Sequence, residues 1–502
     1  MMQKNTPVIV GVHQLTQRWQ EGQMPQHPLA LIETAAHEAL ADAGNSLKAV
    51  LDGLYVVNIF SYGYVDAPGA LAQALSISPH TRLYTTEGGN TPQYLVNQAC
   101  LALEKGEVRA VLIGGAEAVY GFKQAGKKGL RLDWPPRAQP QQVKGEIRVP
   151  VNDVESLYEL YAPVNMYPIF ETALRAQKGH SPAQHQQYLG ALYQKFARVA
   201  AQHPQAWIQE AYTAEEIYQP SEENRYVGFP YSLRMNANIN VDQATAIVLT
   251  TVGEAEKQGI PPEKWVFPMG GAHLNEVWEV SRRPRLYESV AIGKAAAWAL
   301  QQAGLSLADI GGFDLYSCFP SAVQMGRNAL GLAEDDPRPL TLTGGLSFFG
   351  GAGNNYVSHS IITAVEQIRK NPRQALLITA LGWYATKHAV GVYGSQPPRQ
   401  SWQESQHFER LQAEIDASAL PPPQKEAQGK FFTEGYVILY NRMNQPEKGV
   451  AIGRLENGHR TIAYIEGDTD TLRHYCETEL VGQTGFVRFD AQRKRNLLRF
   501  EG

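Results

Sequence analysis

Tyr316, Ser317, Cys318 and His388 are the side chains of this sequence best suited to chemistry. A tyrosine hydroxyl donates hydrogen bonds and, if its pKa falls, acts as a general acid or base. His388, in Thr386-Lys387-His388, is of the one type that titrates near neutral pH. Cys318 is either a nucleophile or a buried, inert thiol. Two glycine pairs, Gly88-Gly89 and Gly350-Gly351, each open a helix. Such turns let backbone approach a ligand closely, and the helix behind them offers free N–H groups. Tight turns needed only for packing would look the same. Asn90, Asn354 and Asn355 follow the two turns as helix caps or ligand donors.

The elements that must position these residues occur twice. ALIETAAHEALADAG, DGLYVVNIF and EGGNTPQYLVNQACLALEKGEVRAVLIGGAEA form the first copy. AIGKAAAWALQQAG, GGFDLYSCF and GGLSFFGGAGNNYVSHSIITAVEQIRKNPRQALLITALGW form the second. Each reads as helix, strand, Gly-rich turn, helix and apolar strand. Leu31, Ala35, Ala36, Leu40 and Ala43 recur at helical spacing before Gly44, as Ile292, Ala295, Ala296, Ala299 and Ala303 do before Gly304. Ala110-Val-Leu-Ile and Ala375-Leu-Leu-Ile are short and wholly apolar, as strands buried on both faces are. A duplicated α/β unit brings equivalent turns of its halves together, which is where an active site is expected.

The 502 residues exceed one core, and 43% hydrophobic with 19% charged residues fits a globular enzyme. A net charge of −4 argues against a nucleic-acid partner. No apolar run reaches the length of a membrane span. The N-terminal stretch Val8–Val12 reads as a strand and lacks the features of a signal peptide. Cys100, Cys318 and Cys476 form neither a disulfide framework nor a zinc-ligand spacing, so no metal and a cytoplasmic location are expected. Residues 1–265 form the first half, interrupted by an insert at about 121–235 that holds a helix at Pro182–Gln202. Residues 266–395 form the second half. A polar, Pro-bearing linker with one short helix follows at 396–428. A β-rich tail occupies 429–502. Its Arg493-Lys494-Arg495 reads as a solvated turn.

Several segments carry a family resemblance: NRYVGFPYSLRMNANINVDQATAIVLTT, DLYSCFPSAVQMGRNALGL, TLTGGLSFFGGAGNNY and ATKHAVGVYG. With the duplicated unit and the β-rich tail, the chain resembles the thiolase superfamily, and within it the bacterial thiolase-like proteins type 1. The resemblance implies an α/β class: a duplicated thiolase fold of two βαβαβαββ halves, layered α-β-α-β-α, with a small, OB-like C-terminal β-barrel. It implies an acetyl-CoA acetyltransferase-like protein of lipid metabolism, with CoA or acyl-CoA as ligand and no covalently bound cofactor.

Motif by motif, the resemblance also implies lost chemistry. The nucleophilic cysteine of thiolases falls at Gly89, the activating histidine at Gly351 and the second acid/base cysteine at Ala380. Cys100, eleven residues past Gly89, reads as a core residue. Tyr316 takes the position that normally helps to hold the thioester oxygen. The catalytic set expected is therefore Tyr316, His388, Ser317 and Cys318, with Gly89, Asn90, Gly350 and Gly351 against the ligand. Thiolase-like retro-aldolases also lack the cysteine and work with a small β-rich partner. Three readings stay open: acyltransferase, carbon–carbon lyase, and non-catalytic acyl-CoA binding. So do a monomer, a homodimer and a complex with a partner subunit.

Overall fold

The computed structural model describes residues 3–500, so residues 1–2 of the span 1–265 and residues 501–502 of the span 429–502 lie outside the described residues. Its strands run β1 (Pro7–Thr16), β2 (Leu51–Val56), β3 (Thr81–Tyr84), β4 (Ala110–Ala118), β5 (Tyr226–Phe229), β6 (Tyr231–Ser232) and β7 (Asp242–Thr251) through the first half. The second half contributes β8 (Phe267–Asn275), β9 (Ile310–Asp314), β10 (Ala375–Gly382) and β11 (Lys387–Gly394). The tail contributes β12 (Gly429–Tyr440), β13 (Pro446–Leu455), β14 (Arg460–Ile465), β15 (Thr484–Asp490) and β16 (Arg495–Arg499).

The duplication is a property of the topology. The first sheet has the order β1-β7-β4-β2-β3 and the second β8-β11-β10-β9. In each, a parallel pair, β2–β4 or β9–β10, is followed by two strands that join antiparallel. The second sheet has no strand matching β3; there Pro339 and Leu340 accept backbone hydrogen bonds from Phe313 and Leu315. Helices Thr91–Glu104 and Tyr356–Lys370 pack between the sheets, while Pro28–Asp42 and Val290–Ala303 cover the outer faces. This is the α-β-α-β-α layering that the resemblance implies. The outer helices dock through one repeated device. A Cβ on Gly11 of β1 would lie 2.2 Å from the Ala39 carbonyl oxygen, and one on Gly270 of β8 would lie 2.0 Å from that of Ala299. Only glycine lets each helix sit this close to its strand.

The insert forms helices Pro163–Lys178 and Pro182–Gln202 and the short hairpin β5–β6. Ser181 and Gln184 start the second of these helices with a reciprocal capping box. The tail is a closed five-stranded barrel, in which β12 pairs with both β13 and β15, and β14 joins β16 in parallel.

The barrel is more deeply tied to the core than its composition suggests. Strand β12 also pairs with β5 of the insert, and Phe229 of that strand packs into the barrel's own core. Arg175, fully buried on the Pro163–Lys178 helix, donates to both carboxylate oxygens of Glu479 at 2.8 and 2.9 Å and to the Tyr436 hydroxyl at 2.8 Å. The segment 396–428 holds two short helices, Trp402–Ser405 and Glu409–Asp416. Its few apolar residues act as anchors: Trp402 is wholly buried, Phe408 packs edge-on against His273 and Trp298, and Ile415 is buried. Glu104 accepts hydrogen bonds from the backbone of Trp402 and Gln403.

A buried guanidinium stripped of its carboxylate is costly. Glu479→Ala is therefore expected to lower stability by about 3–5 kcal/mol in urea unfolding. A loss below about 1 kcal/mol would mean that the barrel is held mainly by the β5–β12 pairing.

Candidate functional site

The two Gly-rich turns meet where the halves face each other. Asn354, just past Gly350-Gly351, accepts a hydrogen bond from the Gly88 amide at 2.8 Å and donates to the Asn58 carbonyl at 3.0 Å. Neither Asn90 nor Asn355 caps its helix with a side-chain hydrogen bond. Asn355 instead pairs with Thr245 at 3.0 Å. Asn354 and Asn355 thus lock one half to the other instead of capping, whereas Asn90 Oδ1 has no hydrogen-bond partner among the described residues.

Under this junction lies a mainly apolar cavity of about 370 Å³. Gly88, Gly89, Gly351 and Gly353 form one side of it, and Tyr316, Cys318 and Phe319 another. Tyr167, Leu381 and Trp383 complete the wall, with Phe60 and Glu87 at an exposed rim.

Tyr316 governs the shape of the site. A Cβ on Gly89 would stand 2.2 Å from the Tyr316 hydroxyl and 2.6 Å from the Leu381 carbonyl oxygen. The phenol thus fills the space into which a side chain at Gly89 would project. Its backbone N–H donates to Thr379 Oγ1 at 2.9 Å, and its ring meets Tyr356 edge-on at 5.8 Å. Its hydroxyl has no hydrogen-bond partner among the described residues. Burial, reinforced by Cys318, holds its pKa well above the ordinary tyrosine value. At neutral pH it is a proton donor and not a base.

The other expected residues divide. Cys318 lines the cavity, but burial pushes its thiol up to about 12, which makes it a poor nucleophile. Gly351 lines the cavity, whereas Gly350 packs against Gln243. Ser317 accepts a hydrogen bond from the Leu346 amide at 3.2 Å and supports the wall from behind. His388 and Asn90 line a separate space of about 190 Å³ on the far side of the Gly88 turn. His388 Nε2 lies 3.0 Å from the Ala385 carbonyl oxygen and 3.3 Å from Ser289, and burial lowers its pKa to about 4. It is a neutral, structurally bonded histidine away from the cavity. Cys100 is fully buried in its helix.

Sequence reading missed four contributors. Tyr167, from the insert, donates to the Trp383 carbonyl at 2.7 Å and accepts from the Ala385 amide at 3.1 Å. It thereby holds a turn in which Trp383 (φ 58°) and Ala385 (φ 51°) both have left-handed backbone, a strain typical of functional sites. Trp383 itself walls the cavity. Glu117, fully buried at the end of β4, accepts from the Phe60 and Ser61 amides at 2.8 and 2.7 Å and fixes the rim loop. Burial raises its carboxyl to about 7. Lys387 donates to the Glu87 carbonyl behind the turn. The run Gly-Gly-Ala-Gly-Asn-Asn and the basic Lys387 beside His388 were visible signals for two features of this region, Asn354 and Lys387.

Comparison with known proteins places the architecture. The chain is 31% identical to the monomeric SCP2-thiolase like protein type 1 (STLP1) from Mycobacterium smegmatis, over 99% of each chain, with a TM-score of 0.83. The chain belongs to the SCP2-thiolase-like protein type 1 family. Residues 410–492 match the thiolase-like protein type 1 additional C-terminal domain. The thiolase fold itself is shared more distantly. The Ltp2-ChsH2(DUF35) aldolase is 18% identical with a TM-score of 0.59, over 78% of this chain and 98% of that one. The acetyl-CoA acetyltransferase from Syntrophomonas wolfei is 14% identical with a TM-score of 0.56, over 78% and 100%. No curated protein matches the chain. No helix among the described residues is long and apolar enough to cross a membrane, and none of their acidic, histidine and cysteine side chains cluster as a metal site.

The Tyr316–Gly89 contact makes a specific stability prediction for this type 1 protein. Gly89→Ala is expected to cost about 1–3 kcal/mol by overpacking, and the cost should shrink in a Tyr316→Ala background. Strictly additive losses in denaturant unfolding would show that the phenol does not fill the space at Gly89.

Proposed function

We propose that this chain binds an acyl thioester of coenzyme A without forming a covalent acyl-enzyme. The acyl end lies in the apolar cavity beneath Gly89, with the Tyr316 hydroxyl donating to the thioester carbonyl. One observation carries this reading: the Tyr316 hydroxyl stands within 2.2 Å of the Cβ position of Gly89, where the family resemblance places the nucleophile. The cavity walls support it, because they are apolar apart from the few polar groups that would orient a ligand. Cys318, the one thiol on the cavity wall, is held protonated.

The same geometry favours a second reading, a carbon–carbon lyase acting on a β-hydroxyacyl thioester. A phenol that stays protonated is suited to stabilise the enolate oxygen that forms when the α–β bond breaks. Glu87, exposed at the rim, is the carboxylate in the cavity lining able to take the β-hydroxyl proton. The β-carbon then leaves as an aldehyde or ketone, and the enolate regains a proton at its α-carbon.

Titration with acyl-CoA and β-hydroxyacyl-CoA thioesters, with thiol and carbonyl release followed together, tests both readings. Saturable binding without CoA release is the expected result for the first. Aldehyde or ketone release that falls about 10²–10⁴-fold in Tyr316→Phe supports the second. Thiolysis of a β-ketoacyl-CoA at ordinary enzyme rates, about 1–10³ s⁻¹, would overturn the non-covalent account.

A further inference from the structure

The segment 121–150 forms a surface unlike the rest of the molecule. It carries seven basic residues and two acidic ones, a net of +5 in a chain whose net charge is −4. Lys123, Lys127, Arg131, Arg137, Lys144 and Arg148 are all exposed, and none of them meets a carboxylate in a salt bridge among the described residues. Lys128 is paired, with Glu21 at 2.8 Å. Apolar side chains stand among these cations. Phe122, Leu130, Val143, Ile147 and Val149 are exposed, Ile147 by 79% and Val149 by 67%. With Phe60 and Val65 of the adjoining rim loop, they make seven of the fifteen large apolar side chains exposed among the described residues. Scattered singly, such residues need no explanation; gathered together, they mark a contact surface.

Backbone bonds hold the segment as one strip along the rim loop and the edge of β3. The Ala138 amide donates to the Gly63 carbonyl at 3.1 Å and the Gln141 amide to that of Val65 at 3.0 Å. Lys144 donates to the Tyr84 carbonyl at 2.7 Å and accepts from the Thr86 amide at 3.0 Å. Arg137 lies over the rings of Phe122 and Tyr62, 5.1 and 4.9 Å from their centres, which joins the helix Val119–Lys128 to the rim loop. Lys123 and Lys127, four residues apart on that helix, share one face of it.

We infer that this strip docks on the surface of an anionic lipid bilayer. Its cations meet the headgroups, and its aliphatic tips enter the boundary of the acyl region. Composition favours lipid over protein, because Lys is depleted in protein interfaces and Leu and Val are scarce among binding hot spots. A nucleic acid would leave Ile147 and Val149, which have no face for base stacking, in water. The attachment is peripheral, as no helix among the described residues is long and apolar enough to cross a membrane. Phe60 belongs both to this surface and to the cavity wall, so docking holds the cavity mouth close to the bilayer. The inference rests on the surface alone and stands whether or not the cavity takes a thioester.

Cosedimentation of the full chain with vesicles tests this, using phosphatidylcholine alone and phosphatidylcholine with about one-third phosphatidylglycerol. Saturable binding to the anionic vesicles is expected, with little to the neutral ones. Raising the salt from about 0.05 to about 0.5 M should release most of it. Lys123→Glu with Lys127→Glu should weaken binding about twentyfold or more, at about fivefold per cation removed. Ile147→Ser with Val149→Ser leaves every charge in place and should weaken it about tenfold or more at low salt. All four side chains are exposed, so both double variants should keep the melting temperature of the wild-type chain. Equal binding to neutral and anionic vesicles, or undiminished binding in either double variant, would overturn the proposal. So would capture by polyglutamate or by RNA without vesicle binding, which would make the partner a protein or a nucleic acid.

Discussion

The Gly88-Gly89 turn is fixed by residues far from it in sequence, and the site depends on that. Asn354 takes the Gly88 amide across a separation of 266 residues, Lys387 holds the Glu87 carbonyl from behind, and the Tyr316 phenol fills the space under Gly89. All three belong to the second half of the duplication. The first half supplies a turn without side chains, and the second supplies the groups that hold it. Neither half builds the cavity alone, so the candidate site belongs to the interface between the repeated units.

The same constraint underlies the proposed non-covalent chemistry. A side chain at Gly89 would collide with Tyr316, so phenol and nucleophile compete for one volume. With glycine at 89 and at 351 and alanine at 380, Tyr316 and Cys318 on the cavity wall are held protonated by burial, with the carboxylate of Glu87 at the rim. Such groups suit the proposed role of holding and polarising a carbonyl. The proposed reading therefore has no thioester formed on the protein. The insert reinforces the arrangement: Tyr167 ties down the strained turn at Trp383, and the same helix carries Arg175 into the barrel.

Much of the fold was legible because it rests on local periodicity. The helices ending at Gly44 and Gly304, the apolar strands β4 and β10, and the helix Pro182–Gln202 were readable from spacing and caps. Tyr316 was legible through its motif position. His388 was misleading: its sequence neighbourhood is that of a catalytic turn, yet its ring points to Ala385 and Ser289 behind the sheet. Asn354 and Glu117 could not be assigned, because their roles are hydrogen bonds to loops distant in sequence. The segment 396–428 looked like a plain linker because Trp402, Phe408 and Ile415 are isolated among polar residues, and isolated anchors leave no periodic trace.

The central claim is that Tyr316 meets the thioester carbonyl directly, without an acyl-enzyme. Infrared difference spectroscopy of a ¹³C-carbonyl acyl-CoA bound to the protein tests it most directly. The account predicts an intact thioester band shifted to lower frequency by hydrogen bonding, with the shift lost in Tyr316→Phe while the ligand stays bound. A band that is unshifted in the wild-type protein, or its replacement by that of a new acyl-protein bond, would contradict it.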